Sequence, residues 1–282
     1  MPKVVHTIGE LQKILTPHWR QGDPVGFVPT MGALHEGHVS LMKRSKADAN
    51  AITVISIFVN PLQFGQGEDY DEYPRDLSGD VKVAREAGVD VVFAPSVAEM
   101  YPRGFVSFCD QDKLTEKLCG AHRPGHFRGV LTVVLKLFQI VRPTHAYFGQ
   151  KDYQQSVVIQ RMVTDLNFDV KVHVMPIVRE PDGLAMSSRN AYLGSKHRLE
   201  ALVLHQSLVR AQEMIEGGEK NAKKLTAEMR RVIGQVKGAK IDYVAVVHPE
   251  TLEDVNDVSG RTVIAAAARF GKTRLIDNVI VE

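Results

Sequence analysis

Two histidines lie three residues apart in Pro29-Thr30-Met31-Gly32-Ala33-Leu34-His35-Glu36-Gly37-His38, with a glycine just before the second. The apolar run at residues 25–28 reads as the end of a buried strand, and residues 39–45 have helical spacing. The histidines therefore stand where a strand hands over to a helix. In an open α/β sheet that junction suits phosphate, because the helix N-terminus offers free N–H groups and positive partial charge. Imidazoles placed there can donate hydrogen bonds to phosphate oxygens. By itself the pattern is equally well met by a turn carrying two incidental histidines.

Four other polar clusters fall at strand ends or in loops. Asn60 and Gln63, in Phe58-Val59-Asn60-Pro61-Leu62-Gln63, follow a long β-branched run. Alone they read as a Pro-terminated strand with an exposed glutamine. Residues 120–129 form a basic, glycine-rich loop containing Arg123 and His126, able to wrap an anion or to be a mobile turn. Gly149-Gln150-Lys151-Asp152-Tyr153-Gln154-Gln155 repeats the strand-turn-helix pattern of the histidine motif. Lys151 at a helix start opposes the helix dipole, and an anionic ligand would compensate for that. In Met186-Ser187-Ser188-Arg189, two hydroxyls and a guanidinium in a flexible loop suit transient phosphate contact. Taken alone, this last stretch is an ordinary polar linker.

Alternating elements must hold these clusters. Strands are expected at 25–28, 52–59, 89–93 and 170–174. Helices are expected at 78–87, closed by Gly88, at 129–141, buried and stopped by Pro143, and at 152–166 with Asp152 as N-cap. Such alternation argues for βαβ units and a parallel sheet, hence an α/β fold with helices on both faces. Residues 176–195 are loop-rich. Beyond them come helical stretches at about 195–216 and 221–236, then strands at 241–247, 262–269 and 274–281, a small α+β domain with an antiparallel sheet.

The chain has 282 residues, 44% hydrophobic and 24% charged, enough for a core of ordinary size. A net charge of +2 makes no case for a nucleic-acid binder. Cys109 and Cys119 match no zinc or redox spacing and are expected to be reduced thiols of a cytoplasmic protein. No signal-peptide h-region and no apolar stretch approaching 18 residues is present, so no membrane association is expected.

Together the motifs carry a resemblance. His35-Glu36-Gly37-His38 is similar to the His-x-Gly-His element of the nucleotidyltransferase and class I aminoacyl-tRNA synthetase superfamily, and Met186 to Arg189 to its second, serine-bearing loop. More narrowly, PTMGALHEGH, FVNPLQF, RPGHF, FGQKDYQQ and MSSRN, in this order, resemble the pantothenate synthetase (pantoate–β-alanine ligase) family. The resemblance runs from about Gly26 to the Thr273–Asn278 segment and implies a Rossmann-like sheet. It divides the chain into a nucleotide- and pantoate-binding domain at 1–177 and a C-terminal lid at 178–282, with the hinge near 176–181.

The resemblance further implies ATP-dependent condensation of pantoate with β-alanine through an enzyme-bound pantoyl adenylate. The ATP site would comprise Met31, Gly32, Ala33, Leu34, His35, Glu36, Gly37 and His38. It would continue through Gly149, Gln150, Lys151, Asp152, Val178, Met186, Ser187, Ser188 and Arg189. His38 matches the family's proton donor, and His35, Lys151, Ser187, Ser188 and Arg189 would join it in catalysis. Gln63 and Gln155 match the pantoate-binding glutamines, with β-alanine near the first, and Asn60, Arg123 and His126 match further substrate positions. Mg²⁺ is expected, held by phosphate oxygens rather than by a protein cage, and a homodimer is expected. Gln150 departs from a position that is often acidic in the family. Two other readings compete. A different adenylate-forming enzyme on this fold would need another acceptor pocket in place of Gln63, Gln155 and the 123–126 loop. An RNA-binding module would need more basic surface than the short lysine runs at 220–224 and 237–240 supply.

Overall fold

A computed structural model describes all 282 residues. The chain runs β1 (Lys3–Val5), α1 (Ile8–Gln21), β2 (Val25–Thr30), α2 (Glu36–Ala47), β3 (Ile52–Ile57), α3 (Leu77–Glu86), β4 (Val91–Phe93), α4 (Val97–Met100), α5 (Cys119–His122), α6 (His126–Val141), β5 (His145–Gly149), α7 (Tyr153–Asp165) and β6 (Lys171–Met175). These strands pair in parallel in the order β1-β4-β3-β2-β5-β6. The order reverses direction between β2 and β5. That reversal opens a crevice at the carboxyl ends of those two strands. The loops leaving them carry the two strongest motifs, residues 31–35 and 149–152.

The pleat of β2 explains the layering. Val25 and Phe27 join a core with α1, α6 and α7 on one face, while Val28 joins Val39, Met42 and Ala84 of α2 and α3 on the other. The expected α/β class with helices on both faces is what the structure has. The expected strands are present with shifted ends, and β3 stops at Ile57, where the chain bends into a 3-10 turn at Pro61–Gln63. β1 and α1 are not among the expected elements. Yet α1 opens with a capping box, Thr7 with Glu10, and closes on left-handed Gly22. Pro17 inside it masks the signal.

The rest forms α8 (Ser195–Glu200), α9 (Leu202–Glu216), α10 (Ala222–Gly234), β7 (Ala239–Val247), β8 (Thr262–Phe270) and β9 (Thr273–Val281). The single stretch expected at 195–216 is thus divided at Ala201. The strands form an antiparallel sheet, β7-β8-β9. One face of β8, including Ile264, Ala266 and Ala268, packs on α9 and α10. Its other face, Val263 and Ala265, packs with Val247 and Leu252 against Val157 of α7. With both faces covered, β8 is almost wholly apolar, and the small sheet is docked on α7. No helix is long and apolar enough to cross a membrane.

Candidate active site

His35 ends the β2 loop as the N-cap of α2, in extended backbone (φ −138°, ψ 175°). Its Nδ1 accepts from the Gly37 N–H at 3.1 Å, and Nδ1 of His38 accepts from the His35 N–H at 3.3 Å. Two histidines thus act as the capping box that Ser and Glu usually supply. With both Nδ1 atoms accepting, each neutral ring carries its proton on Nε2 and offers one N–H donor. Burial, then the charge of Lys151, pushes His35 down to about 4. Burial, then His35 itself, pushes His38 down to about 3. The ring centroids are 4.1 Å apart. A Cβ at Gly37 would come within 2.9 Å of the His35 ring, so this close cap needs glycine.

The loop before His35 is held from α3. Both carboxylate oxygens of Asp80, 5% exposed, accept backbone N–H groups, from Ala33 at 3.1 Å and Leu34 at 2.8 Å. Those amides are therefore committed to the protein. A cavity of about 220 Å³ lies against this loop, lined on that side by Met31, His35, Gly37 and His38. Glu36, exposed at the start of α2, lies outside the lining, and so do buried Gly32 and half-buried Ala33 and Leu34.

Across the cavity, Gly149, Lys151 and Asp152 line the wall. Residues Gln150–Asp152 form a separate 3-10 turn ahead of α7. Contrary to expectation, Asp152 makes no side-chain cap on α7. Its Oδ2 instead lies 3.8 Å from Nζ of Lys151, the nearest opposite charge. Gln150 turns away and donates to Asn278 at 3.1 Å. That orientation gives the departure at this position a local reason. Its side chain serves the β9 contact.

Val178, Met186, Ser187, Ser188 and Arg189 line a third side. The loop expected to be flexible holds a 3-10 turn, Ser188–Tyr192, capped by Ser187. Tyr73 hydrogen-bonds Ser188 at 3.0 Å, and Asp69 accepts from Nε and Nη2 of Arg189, both at 2.9 Å. This pair leaves the Nη1 edge of the guanidinium free. Asp69, Tyr73 and Asp80 escaped the sequence reading, because only contacts distant along the chain give them a role.

Gln63 and Gln155 line the same cavity. Gln63 accepts from Asn60 at 3.0 Å and points its Nε2 at the Met31 sulfur, 3.0 Å away. Asn60, 1% exposed, uses all four hydrogen-bonding positions within the protein, with Gln63, Gly129, Leu62 and Tyr101. It holds the Gln63 turn in place. His126 Nδ1 meets the Gln63 carbonyl at 2.8 Å, and its Nε2 meets Arg123 at 3.0 Å. Arg123 also grips Glu68 at 2.7 and 2.6 Å. Burial, then Arg123, pushes His126 down to about 4. Burial opposes ionisation of Glu68, but Arg123 outweighs it and brings that carboxyl to about 2. A Cβ at Gly129 would strike the Leu62 carbonyl, so α6 can approach this turn only at glycine. Asn60, Gln63, Arg123 and His126 therefore meet at one wall, and Gln155 lines the same cavity.

A parallel sheet with an anion-binding crevice at its reversal point, walled by paired histidines, a lysine and an arginine, defines a nucleotide-binding enzyme of the Rossmann-like α/β class. Within that class the chain matches the pantoate-β-alanine ligase family over residues 3–280, and it belongs to that family. It is 55% identical to the pantothenate synthetase of Acetivibrio thermocellus over 99% of both chains, and 53% identical to that of Thermosipho africanus over 99% of this chain and all of the other. Among solved structures, pantothenate synthetase from Thermus thermophilus superposes with a TM-score of 0.94 at 47% identity, covering 98% of each chain. Pantoate-β-alanine ligase from Francisella tularensis, complexed with β,γ-ATP and β-alanine, superposes with a TM-score of 0.81 at 36% identity, covering 99% of this chain and 98% of the other. The chain is thus a ligase.

Proposed function

We propose that this enzyme forms pantothenate from pantoate and β-alanine at the expense of ATP, by way of pantoyl adenylate. A carboxylate is a poor electrophile. The pantoate carboxylate oxygen therefore attacks the α-phosphorus of ATP, and the bond to the β-phosphate oxygen breaks, releasing pyrophosphate. The β-alanine amine then attacks the acyl carbon, loses a proton and expels AMP. The observation that carries this reading is that one cavity holds both an anion clamp and two glutamines. Its relatives' names, and the nucleotide and β-alanine complex of the Francisella enzyme, support the same substrates.

Each residue has a task in this reading. Nε2–H of His35 and of His38 donate to the α-phosphate and departing pyrophosphate, where charge develops. Lys151 and the free edge of Arg189 neutralise the outer phosphates, with Ser187 and Ser188 beside them. Met31, His35, Gly37, His38, Gly149, Lys151, Asp152 and Val178 frame the nucleotide, with Asp152 available to ribose hydroxyls. Gln63 and Gln155 bind pantoate, since an amide can both donate to a carboxylate and accept from hydroxyls. Asn60, Arg123 and His126 hold Gln63. The triphosphate oxygens, rather than side chains of this chain, would hold Mg²⁺, which would neutralise phosphate charge. Within the C-terminal part, residues 178–282, the 186–192 segment is the lid over the cavity of residues 1–177, shielding the acyl adenylate from water. The enzyme works in the cytoplasm as a homodimer.

The deciding test is exchange of labelled pyrophosphate into ATP with β-alanine omitted. Exchange that requires pantoate is expected. Exchange without pantoate, or none with it, would overturn the adenylate route.

A further inference from the structure

Strand β9 reaches across to the turn that carries Lys151. Asn278, 2% exposed, donates through Nδ2 to the main-chain carbonyls of Gln150 and Lys151, both at 3.0 Å. Its Oδ1 accepts from Nε2 of Gln150 at 3.1 Å. Its own N–H donates to Oδ1 of Asp277 at 2.8 Å, and Arg179 grips that buried carboxylate at 2.6 and 3.0 Å. Arg179 also donates to the Gly183 carbonyl at 3.0 Å, in the loop leading to Met186. One chain of hydrogen bonds therefore joins two walls of the cavity. The short turn at Gln150–Asp152 has no side-chain cap of its own. Asn278 supplies from outside the fixation that the turn lacks.

We infer that Asn278 is a positioning residue, which aims Lys151 at the phosphates by clamping the carbonyls of Gln150 and Lys151 from the C-terminal sheet. The inference rests on the role proposed above for Lys151. A side chain that only staples the two halves together would weaken the protein whether or not Lys151 is present. One that acts through Lys151 matters only while the ammonium group is there.

A double-mutant cycle separates the two. Steady-state kcat/KM for ATP and the KM for pantoate are measured on the wild type, Lys151→Ala, Asn278→Ala and the double variant, with thermal unfolding alongside. Loss of the clamp is expected to lower kcat/KM for ATP about tenfold. In the Lys151→Ala background the same change is expected to cost less than about twofold, and the KM for pantoate to stay within about threefold. An undiminished factor in the double variant, or a pantoate KM rising as far as that for ATP, overturns the inference. If Lys151→Ala itself leaves kcat/KM unchanged, the proposed role of Lys151 fails instead. Should Asn278→Ala not fold, Asn278→Ser, whose hydroxyl still donates to one carbonyl, is judged by the same criterion.

Discussion

The capping arrangement of His35 and His38 decides what each imidazole can do. Nδ1 of His38 already accepts the His35 N–H at 3.3 Å, so protonating it would set two donors against each other. His38 therefore serves as a fixed hydrogen-bond donor through Nε2 more readily than as a source of protons. Removing one such preorganised donor costs about 10²–10³ in rate. His38→Ala should slow pantoate-dependent pyrophosphate exchange by that factor while lowering the melting temperature by only a few degrees, the cost of its half of the α2 cap. A comparable collapse in stability would make it a structural residue. The depressed titration of both rings sets the pH behaviour. They are neutral above about 4, so the donor form persists as pH falls from 8 through 6.5. Read as kcat/KM for ATP, which reports the free enzyme, the exchange should lack a limb near pH 6.5, the ordinary histidine value. A limb there that vanishes in His38→Ala would show that His38 titrates normally. Stability follows the opposite side of the same linkage. Unfolded histidines bind protons below about 6.5 while His35, His38 and His126 resist until about 3–4, so the fold weakens as pH falls through that window.

At the level of elements, the site is two strand-to-helix loops brought together by the β2–β5 reversal, with the 186–189 turn closing over them. The loops were legible because strand, turn and helix follow one another directly, and in the first of them Gly32 and Gly37 mark where the backbone must approach its neighbours closely. Asp152 was misread because a helix start invites an N-cap, whereas Lys151 beside it is a stronger partner for a carboxylate. Asp80 and Asn278 were invisible for another reason. Their partners lie 46 and 128 residues away, and no periodicity encodes such a pairing. Asp69 belongs to the same group, 120 residues from Arg189. Because Asp69 holds the Nε and Nη2 edge, it orients the guanidinium rather than competing with phosphate for all of it. Asp69→Asn should therefore raise the KM for ATP about tenfold with little change in that for pantoate. A lower KM for ATP would mean that the carboxylate blocks the phosphate site, and the pair would then be a latch.

On the scale of the whole molecule, the docking of the small sheet constrains how the enzyme can close. Val157 of α7 packs with Val247, Leu252, Val263 and Ala265, and Tyr153 donates to the Pro249 carbonyl at 2.9 Å. A hinge confined to residues 176–181 would have to break this apolar contact. Closure is better served by motion of the 65–73 and 186–192 segments, which carry Asp69 and Arg189 and cover the cavity without disturbing β8. The same contact couples the folding of both halves. Calorimetry of the wild type should show one cooperative transition, raised by MgATP if the nucleotide binds as proposed, between both parts; at about 100 times Kd the gain is about 2.7 kcal/mol. Val157→Asp buries an unpaired carboxylate in that patch, at a cost of about 3–5 kcal/mol. It should split unfolding into two transitions, with the α9–α10 and β7–β9 unit melting separately. A single transition merely moved to lower temperature would show that the hydrogen bonds of Asn278 and Tyr153, rather than the apolar patch, bind the two halves together.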